Sequence, residues 1–337
     1  MNTNSSAITT IKNTFYQLVE EIKLIVLMII YIIQDNILTK RAKKLLINLP
    51  KTVEYFPINN KMTDITIYRN NPFNSKRYLF FISGGFSLVN AFYIRKVIND
   101  LLEAHPLLNE KYNIIVLEKK TKHNLDLYDD ITEYIRQKIP NDVKELSFFS
   151  FCIGGVTASH VLSKLKDINC PKKLILYDSI FNSIDNIKEY TKNYLYRVDC
   201  KFYSVHRKFY LKQYKHIQRR IKPFLKSKHN YANSSEACIE LMKTVHNLND
   251  TEIHKHAGFN FDQTPDTKIY NIYSNRDCVT YQHISRNLIN QHKLDAIRNG
   301  TQPVNMFDIE KNTLGHCTDM TYSTKYLDLV LPILVCD

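Results

Sequence analysis

The chain is expected to fold as an α/β protein, a mostly parallel central sheet flanked by helices, with a helical segment inserted late in the sheet. Three observations predict this. Short, uninterrupted apolar runs alternate with helical stretches, the pattern of strands buried on both faces. Only seven glycines serve 337 residues. Five of them form Gly84–Gly85, Gly154–Gly155 and Gly315, where backbone must bend sharply or approach another group closely. Finally, the alternation stops near residue 181 and resumes near 267, which marks an insertion.

Taken in order, 65–68 and 77–83 read as strands, the second being the run Tyr78-Leu79-Phe80-Phe81-Ile82 closing on Ser83-Gly84-Gly85. A helix through Val97, Leu101 and Leu102 leads to a strand at 113–117. A helix at 128–139 leads to a strand at 146–151, and a helix from 153 to about 165 leads to a strand at 173–178. Beyond the insertion follow a strand at 268–273, a helix at 283–296, a strand at 304–309, a loop carrying His316 and a last apolar helix at 326–334. Gly258 and Gly300 read as ordinary turn residues. The chain divides into an N-terminal helical segment (1–50), a first core part (51–180), a basic helical insertion (181–266) and a second core part (267–337).

Composition bounds the function. An apolar fraction of 44% and a charged fraction of 23% describe a globular chain. Seven cysteines, odd in number and without C-x-x-C spacing, argue for reduced thiols in a cytosolic compartment and against a disulfide framework or a zinc site. The first residues carry no secretory signal. Residues 24–33 are all uncharged and nearly all aliphatic. As a helix they would extend only ~15 Å, half the hydrocarbon thickness. This favours burial in protein or in-plane docking on a membrane over a span stretched from Ile22 to Leu38. For a span, Lys40, Arg41, Lys43 and Lys44 would hold the rest of the chain in the cytosol.

The chemistry concentrates at Ser150-Phe151-Cys152-Ile153-Gly154-Gly155, where a strand runs directly into a helix. A nucleophile elbow has this form: the reactive residue occupies a strained turn, and its neighbours two before and two after must be small. Ser150 and Gly154 meet that demand around Cys152. A helix N-terminus at the thiol favours a thiolate. Reading Ser150 as the nucleophile would instead put Phe148 and Cys152 at the tight positions.

On these residues the chain resembles α/β-hydrolases with a cysteine nucleophile, and its x-x-C-x-G-G box is similar to those of dienelactone hydrolases and polyhydroxyalkanoate synthases. The resemblance implies an α/β-hydrolase fold whose helical cap lies between the sixth and seventh core strands. It implies a triad of Cys152, His316 and Asp277, in the chain order nucleophile, acid, histidine. His316 would deprotonate Cys152, Asp277 would fix the imidazole tautomer, and the acyl group would pass through a thioester. Amides of Gly85 or Phe86 and of Ile153 would form the oxyanion hole. Ser150 in place of the first glycine, and Ser83 where many members have histidine, depart from the pattern. Asp178, at the end of the preceding strand, is the rival acid. No metal or cofactor is implied, and the substrate would be a small or lipid-like acyl compound. Cys278 and Cys317, each next to a triad residue, read as packing residues. The biased composition also resembles that of hydrolase-like proteins of large DNA viruses, which implies host cytoplasm or a virus particle as location.

Residues 188–228 hold thirteen Lys and Arg against Glu189 and Asp199, interleaved with nine Tyr and Phe. Tyr203, Tyr210, Tyr214, Ile217 and Ile221 fall near helical spacing and predict a basic amphipathic helix. The first expectation is a cap over the active site with its aromatic stripe facing inward. Docking on an anionic membrane, together with 24–33, is the second. Nucleic acid is disfavoured, because no recognition fold accompanies the charge. An ester or thioester hydrolase is the leading function. An acyltransferase using the same thioester and an inactive scaffold or membrane-binding protein are its rivals.

Overall fold

Alternate residues of the central strands leave the sheet on opposite sides, and both sides are apolar. The structure is a computed structural model. It describes residues 52–58, 61–67, 75–82, 89–117, 127–186, 188–189, 243, 249–275, 277, 280–313, 317, 319–320 and 323–336. Eight strands form one sheet: β1 (Thr52–Ile58), β2 (Lys61–Ile67), β3 (Arg77–Ile82), β4 (Asn113–Leu117), β5 (Glu145–Cys152), β6 (Lys172–Ser179), β7 (Thr267–Tyr273) and β8 (Asn305–Glu310). In β3, Phe80 and Ile82 enter one core while Leu79 and Phe81 enter the other. β5 repeats the division, with Leu146 and Phe148 opposed to Phe149 and Phe151.

Each apolar face demands a cover. Helices α1 (Val89–Ala104), α2 (Leu108–Lys111), α3 (Leu127–Lys138), α4 (Gly154–Lys164), α5 (Asp250–Ala257), α6 (Gln282–Arg298) and α7 (Leu327–Val335) are described. Ile131 and Ile135 of α3, Val161 and Leu162 of α4, and Ile289 of α6 close the first core. Ile94, Val97 and Leu101 of α1, with Val330 and Leu334 of α7, close the second. The strand order is β1-β2-β4-β3-β5-β6-β7-β8, with β2 antiparallel to both neighbours and β3 to β8 parallel throughout. This is the α/β-hydrolase fold, and the break in the sequence pattern falls between its sixth and seventh strands.

Two differences from the sequence expectation have physical causes. β1 carries Pro57 and has no apolar run, so it does not read as a strand. It sits at the sheet edge and pairs with β2 alone, where a missing N–H is tolerated. Gly258 is more than a turn: it bridges Asn182, and the Phe259 N–H donates to the Phe181 carbonyl at 2.7 Å. The rings of Phe181 and Phe259 stack at 4.6 Å. The two ends of the insertion are thereby tied together at a neck. Leu24–Ile33, most of 188–228 with its aromatic stripe, and Cys278 lie outside the described residues. Among the described residues no helix is long and apolar enough to cross a membrane.

At the amino edge of the sheet a buried polar cluster holds α7. Glu145 accepts from the Tyr112 hydroxyl at 2.8 Å and from Ser147 at 2.6 Å, and Lys173 Nζ lies 3.4 Å from it. Lys173 also donates to the carbonyls of Cys336 (2.9 Å) and Ile333 (3.3 Å), and Lys111 donates to that of Val335 at 2.8 Å. Two cations thus satisfy carbonyls left over at a helix C-terminus. Burial first, then Glu145, pushes the Tyr112 phenol far above its ordinary value, so it remains a donor. Lys173→Met should cost about 3–5 kcal/mol, because it strips a cation from a buried carboxylate. Chemical denaturation measures the loss, and hydrogen exchange should accelerate at 333–336.

Candidate active site

The strand-to-helix turn at Cys152 is the most constrained backbone at the carboxyl edge of the sheet. Cys152 ends β5 with φ +55°, a left-handed conformation that a non-glycine residue adopts only where its surroundings enforce it. Ile153 returns to φ −65° and ψ −17°, and α4 begins at once. The Cys152 carbonyl accepts the Ile180 N–H at 3.0 Å, and the β5–β6 register shifts between Phe151 and Cys152. The thiol is half-buried. Ile153, Gly154 and Gly155 precede or open the helix, so their amides have no intrahelical carbonyl to meet. Ser150 is fully buried within β5 and paired with Ile82 and Leu176.

Gly155 explains how the turn fits. A Cβ there would stand 2.8 Å from Ser179 Cβ, 2.9 Å from its Oγ and 3.1 Å from Leu176 Cδ2. The helix start is pressed onto β6, and only a bare Cα leaves room.

Asp277 lies in the loop after β7 and is buried. Its Oδ1 accepts the Thr280 N–H at 3.0 Å, and its Oδ2 accepts the Thr280 hydroxyl. The Tyr281 N–H donates to Asn186 Oδ1 at 3.0 Å, joining the segment after β7 to the stem of the insertion. That stem also reaches Cys152. Ile184 and, from α5, Ile253 and Ala257 pack with Ile153 and Ile180, and Cys152 rests against this cluster.

Asp178 ends β6 with φ +43° and is fully buried. Its Oδ2 accepts from Lys311 Nζ at 2.7 Å and from the Cys317 N–H at 2.8 Å. Lys311 also donates to Asp319 Oδ1 at 2.8 Å, and the Tyr177 hydroxyl donates to Asp319 Oδ2. Burial opposes the charge on Lys311, but Asp178 and Asp319 outweigh it and raise the ammonium above its ordinary value. Burial and then Asp319 push the Tyr177 phenol far upward, so it stays protonated. The rival acid is therefore bound in a buried ion cluster. Cys317 is buried against the second core, as a packing residue would be.

His316, Gly85 and Phe86 lie outside the described residues. Cys317, the residue after His316, does not, and neither does Thr313, whose carbonyl accepts from the Ser274 hydroxyl at 2.6 Å. Cys152 and Asp178 lie at, and Asp277 just beyond, the carboxyl ends of the adjacent strands β5, β6 and β7, whose neighbours are spaced about 4.8 Å apart. Lys311, Thr280 and Asp319 escaped the sequence reading. A single lysine among 46 basic residues carries no signal until Asp178 and Asp319 surround it.

No family model and no curated protein matches the chain. Among solved structures, the carboxylesterase CesB from Bacillus subtilis aligns over 90% of this chain and 98% of its own, at TM-score 0.46 and 10% identity. An esterase of the bacterial hormone-sensitive lipase family aligns over 84% of both chains at TM-score 0.48 and 8% identity. An esterase/lipase from an uncultured bacterium aligns over 85% of this chain and 84% of its own, at TM-score 0.48 and 10% identity. Strand order and the Cys152 turn carry the fold independently of these likenesses.

Gly155→Ala should destabilise by about 1–3 kcal/mol through overpacking, read as a lowered Tm. Lys311 has a distinct pH signature. With its folded value raised, its stabilisation is complete throughout the neutral range. It is lost only as pH climbs above about 10 and through that raised value. Stability followed from pH 7 to 11 should fall at the alkaline end, and Lys311→Met should remove that part of the fall.

Proposed function

We propose that the chain is a hydrolase of esters or thioesters that works through a covalent thioester on Cys152. The observation that carries this reading is the positive φ of Cys152 at a turn from β5 directly into α4, since that geometry presents one side chain above the sheet and beside helix amides. In this reading His316 takes the proton from Cys152 Sγ, and the sulfur attacks the substrate carbonyl carbon. The Ile153 amide and that of Gly85 or Phe86 receive the developing oxyanion. Collapse breaks the bond to the leaving alcohol or thiol, which departs with the proton from His316. Water, deprotonated by His316, then attacks the thioester and releases the acid and the thiol.

Asp277 is assigned to orient His316. Its carboxylate is ordered by Thr280, while Asp178 is engaged by Lys311 and the Cys317 amide. The insertion serves as a cap: Ile184, Ile253 and Ala257 rest beside Cys152 and Ile153, an apolar wall suited to a small or lipid-like acyl group. Cys152→Ala should abolish hydrolysis of a short activated ester, and Asp277→Asn should lower kcat by a large factor, about 10⁴ in a comparable triad. A chloroacetamide probe should label Cys152. Unchanged turnover by Cys152→Ala would sink the proposal.

A further inference from the structure

The wall against which Cys152 packs is made of five aliphatic side chains: Ile153, Ile180, Ile184, Ile253 and Ala257. Two of them stand there by necessity. Ile153 is the next residue of the chain, and the Ile180 N–H donates to the Cys152 carbonyl at 3.0 Å. The other three belong to the insertion, Ile184 to the helical turn at 183–186 and Ile253 and Ala257 to α5. Residues four apart share one helix face, so Ile253 and Ala257 meet the wall together. Ile184, Ile253 and Ala257 are 1%, 0% and 0% exposed, which leaves the wall closed beside the half-buried thiol.

The wall is also held firmly. Asn182 Oδ1 accepts the Ile184 N–H at 3.0 Å and the Asp185 N–H at 3.1 Å, which fixes the turn that presents Ile184. The end of α5 is tied to α4, the helix that starts at the Cys152 turn. The His160 Nε2–H donates to the Gly258 carbonyl at 3.0 Å, and Ser159 Oγ accepts the Asn260 N–H at 2.9 Å. Both of these α4 side chains are buried. The wall therefore cannot retreat from Cys152 without breaking buried hydrogen bonds, each costly to leave unmade.

Hydrocarbon held in this way selects by polarity and by size. A charged acyl group would lose its water there without meeting a partner on these side chains. A long chain would collide with α5. We infer that Ile253 is a specificity-determining residue, which closes the acyl site and restricts the substrate to a short, uncharged aliphatic acyl group. The inference rests on the reading of Cys152 as the nucleophile. Truncating Ile253 would leave an apolar cavity in the wall, and such cavities stay dry and accept apolar ligands.

The test is the ratio of kcat/KM for p-nitrophenyl octanoate to that for p-nitrophenyl acetate, measured on the full-length chain. The wild type should favour the acetate. Ile253→Ala should raise the ratio roughly tenfold, the low end of what a methylene is worth in an apolar pocket. Ala257→Val should lower it. Ile253→Val, which removes a single methyl, should raise it less and serves if Ile253→Ala does not fold. Ile289→Ala, a truncation in the first core, should leave the ratio within twofold of the wild type. A second measurement needs no turnover. Alkylation of Cys152 by N-octylmaleimide relative to N-ethylmaleimide, with the exposed Cys336 as reference, should rise in Ile253→Ala by a similar factor. An unchanged ester ratio in folded Ile253→Ala, or in Ile253→Val where the first variant is unfolded, overturns the inference; turnover that still depends on Cys152 then keeps the catalytic reading. So does a wild type that favours the octanoate, or an equal shift in Ile289→Ala. Turnover that survives Cys152→Ala ends the catalytic reading and this inference with it. Where neither ester is hydrolysed, the maleimide ratio decides, and an unchanged ratio overturns the inference.

Discussion

Everything at the carboxyl edge depends on how closely α4 approaches β6. The helix must start one residue after β5 ends, so the chain has no loop in which to relax. Cys152 absorbs the reversal with a left-handed backbone angle, and Gly155 absorbs the crowding by having no side chain against Ser179. Were the helix to retreat by the length of a C–C bond, Cys152 would lose both its strained turn and its place beside the helix amides. This explains why glycine persists here in a chain that uses so few.

The insertion is built into the same edge. Its two ends meet at the Asn182–Gly258 bridge, and stacked Phe181 and Phe259 close the neck beneath it. Ile184 and Ile253 then pack beside the Cys152 turn, and Asn186 binds the backbone that follows Asp277. One element therefore touches the Cys152 turn and the loop that carries Asp277 together. A displacement of the stem would be felt at both.

The two buried charge clusters divide the labour between the ends of the sheet. Glu145, Lys173 and Tyr112 at the amino edge hold the last helix and face no candidate chemistry, in keeping with the stabilising role of that end. Asp178, Lys311 and Asp319 at the carboxyl edge join the end of β6 to Lys311 after β8 and to the Cys317 amide. The second sits among the residues whose geometry the proposed chemistry needs.

Much of this was legible in the chain. Strands such as β3, β5 and β6 announce themselves because burial on both faces requires largely apolar runs such as Tyr78–Ile82, and a turn as tight as that at Cys152 restricts its neighbours to small residues. The place of the insertion was legible for the same reason, as a loss of rhythm between β6 and β7. An edge strand such as β1, paired on one side only and tolerant of Pro57, has no such requirement and left no pattern. The partners of Asp178 were beyond reach of the sequence, because a carboxylate at a strand end reads alike as a catalytic acid or as an anchor. Its partners Lys311 and Cys317 are more than 130 residues away, and Gly258 meets Asn182 only after the insertion doubles back. Local stereochemistry writes itself into neighbouring residues. Long-range pairing of single polar groups does not, and only the folded chain decides it.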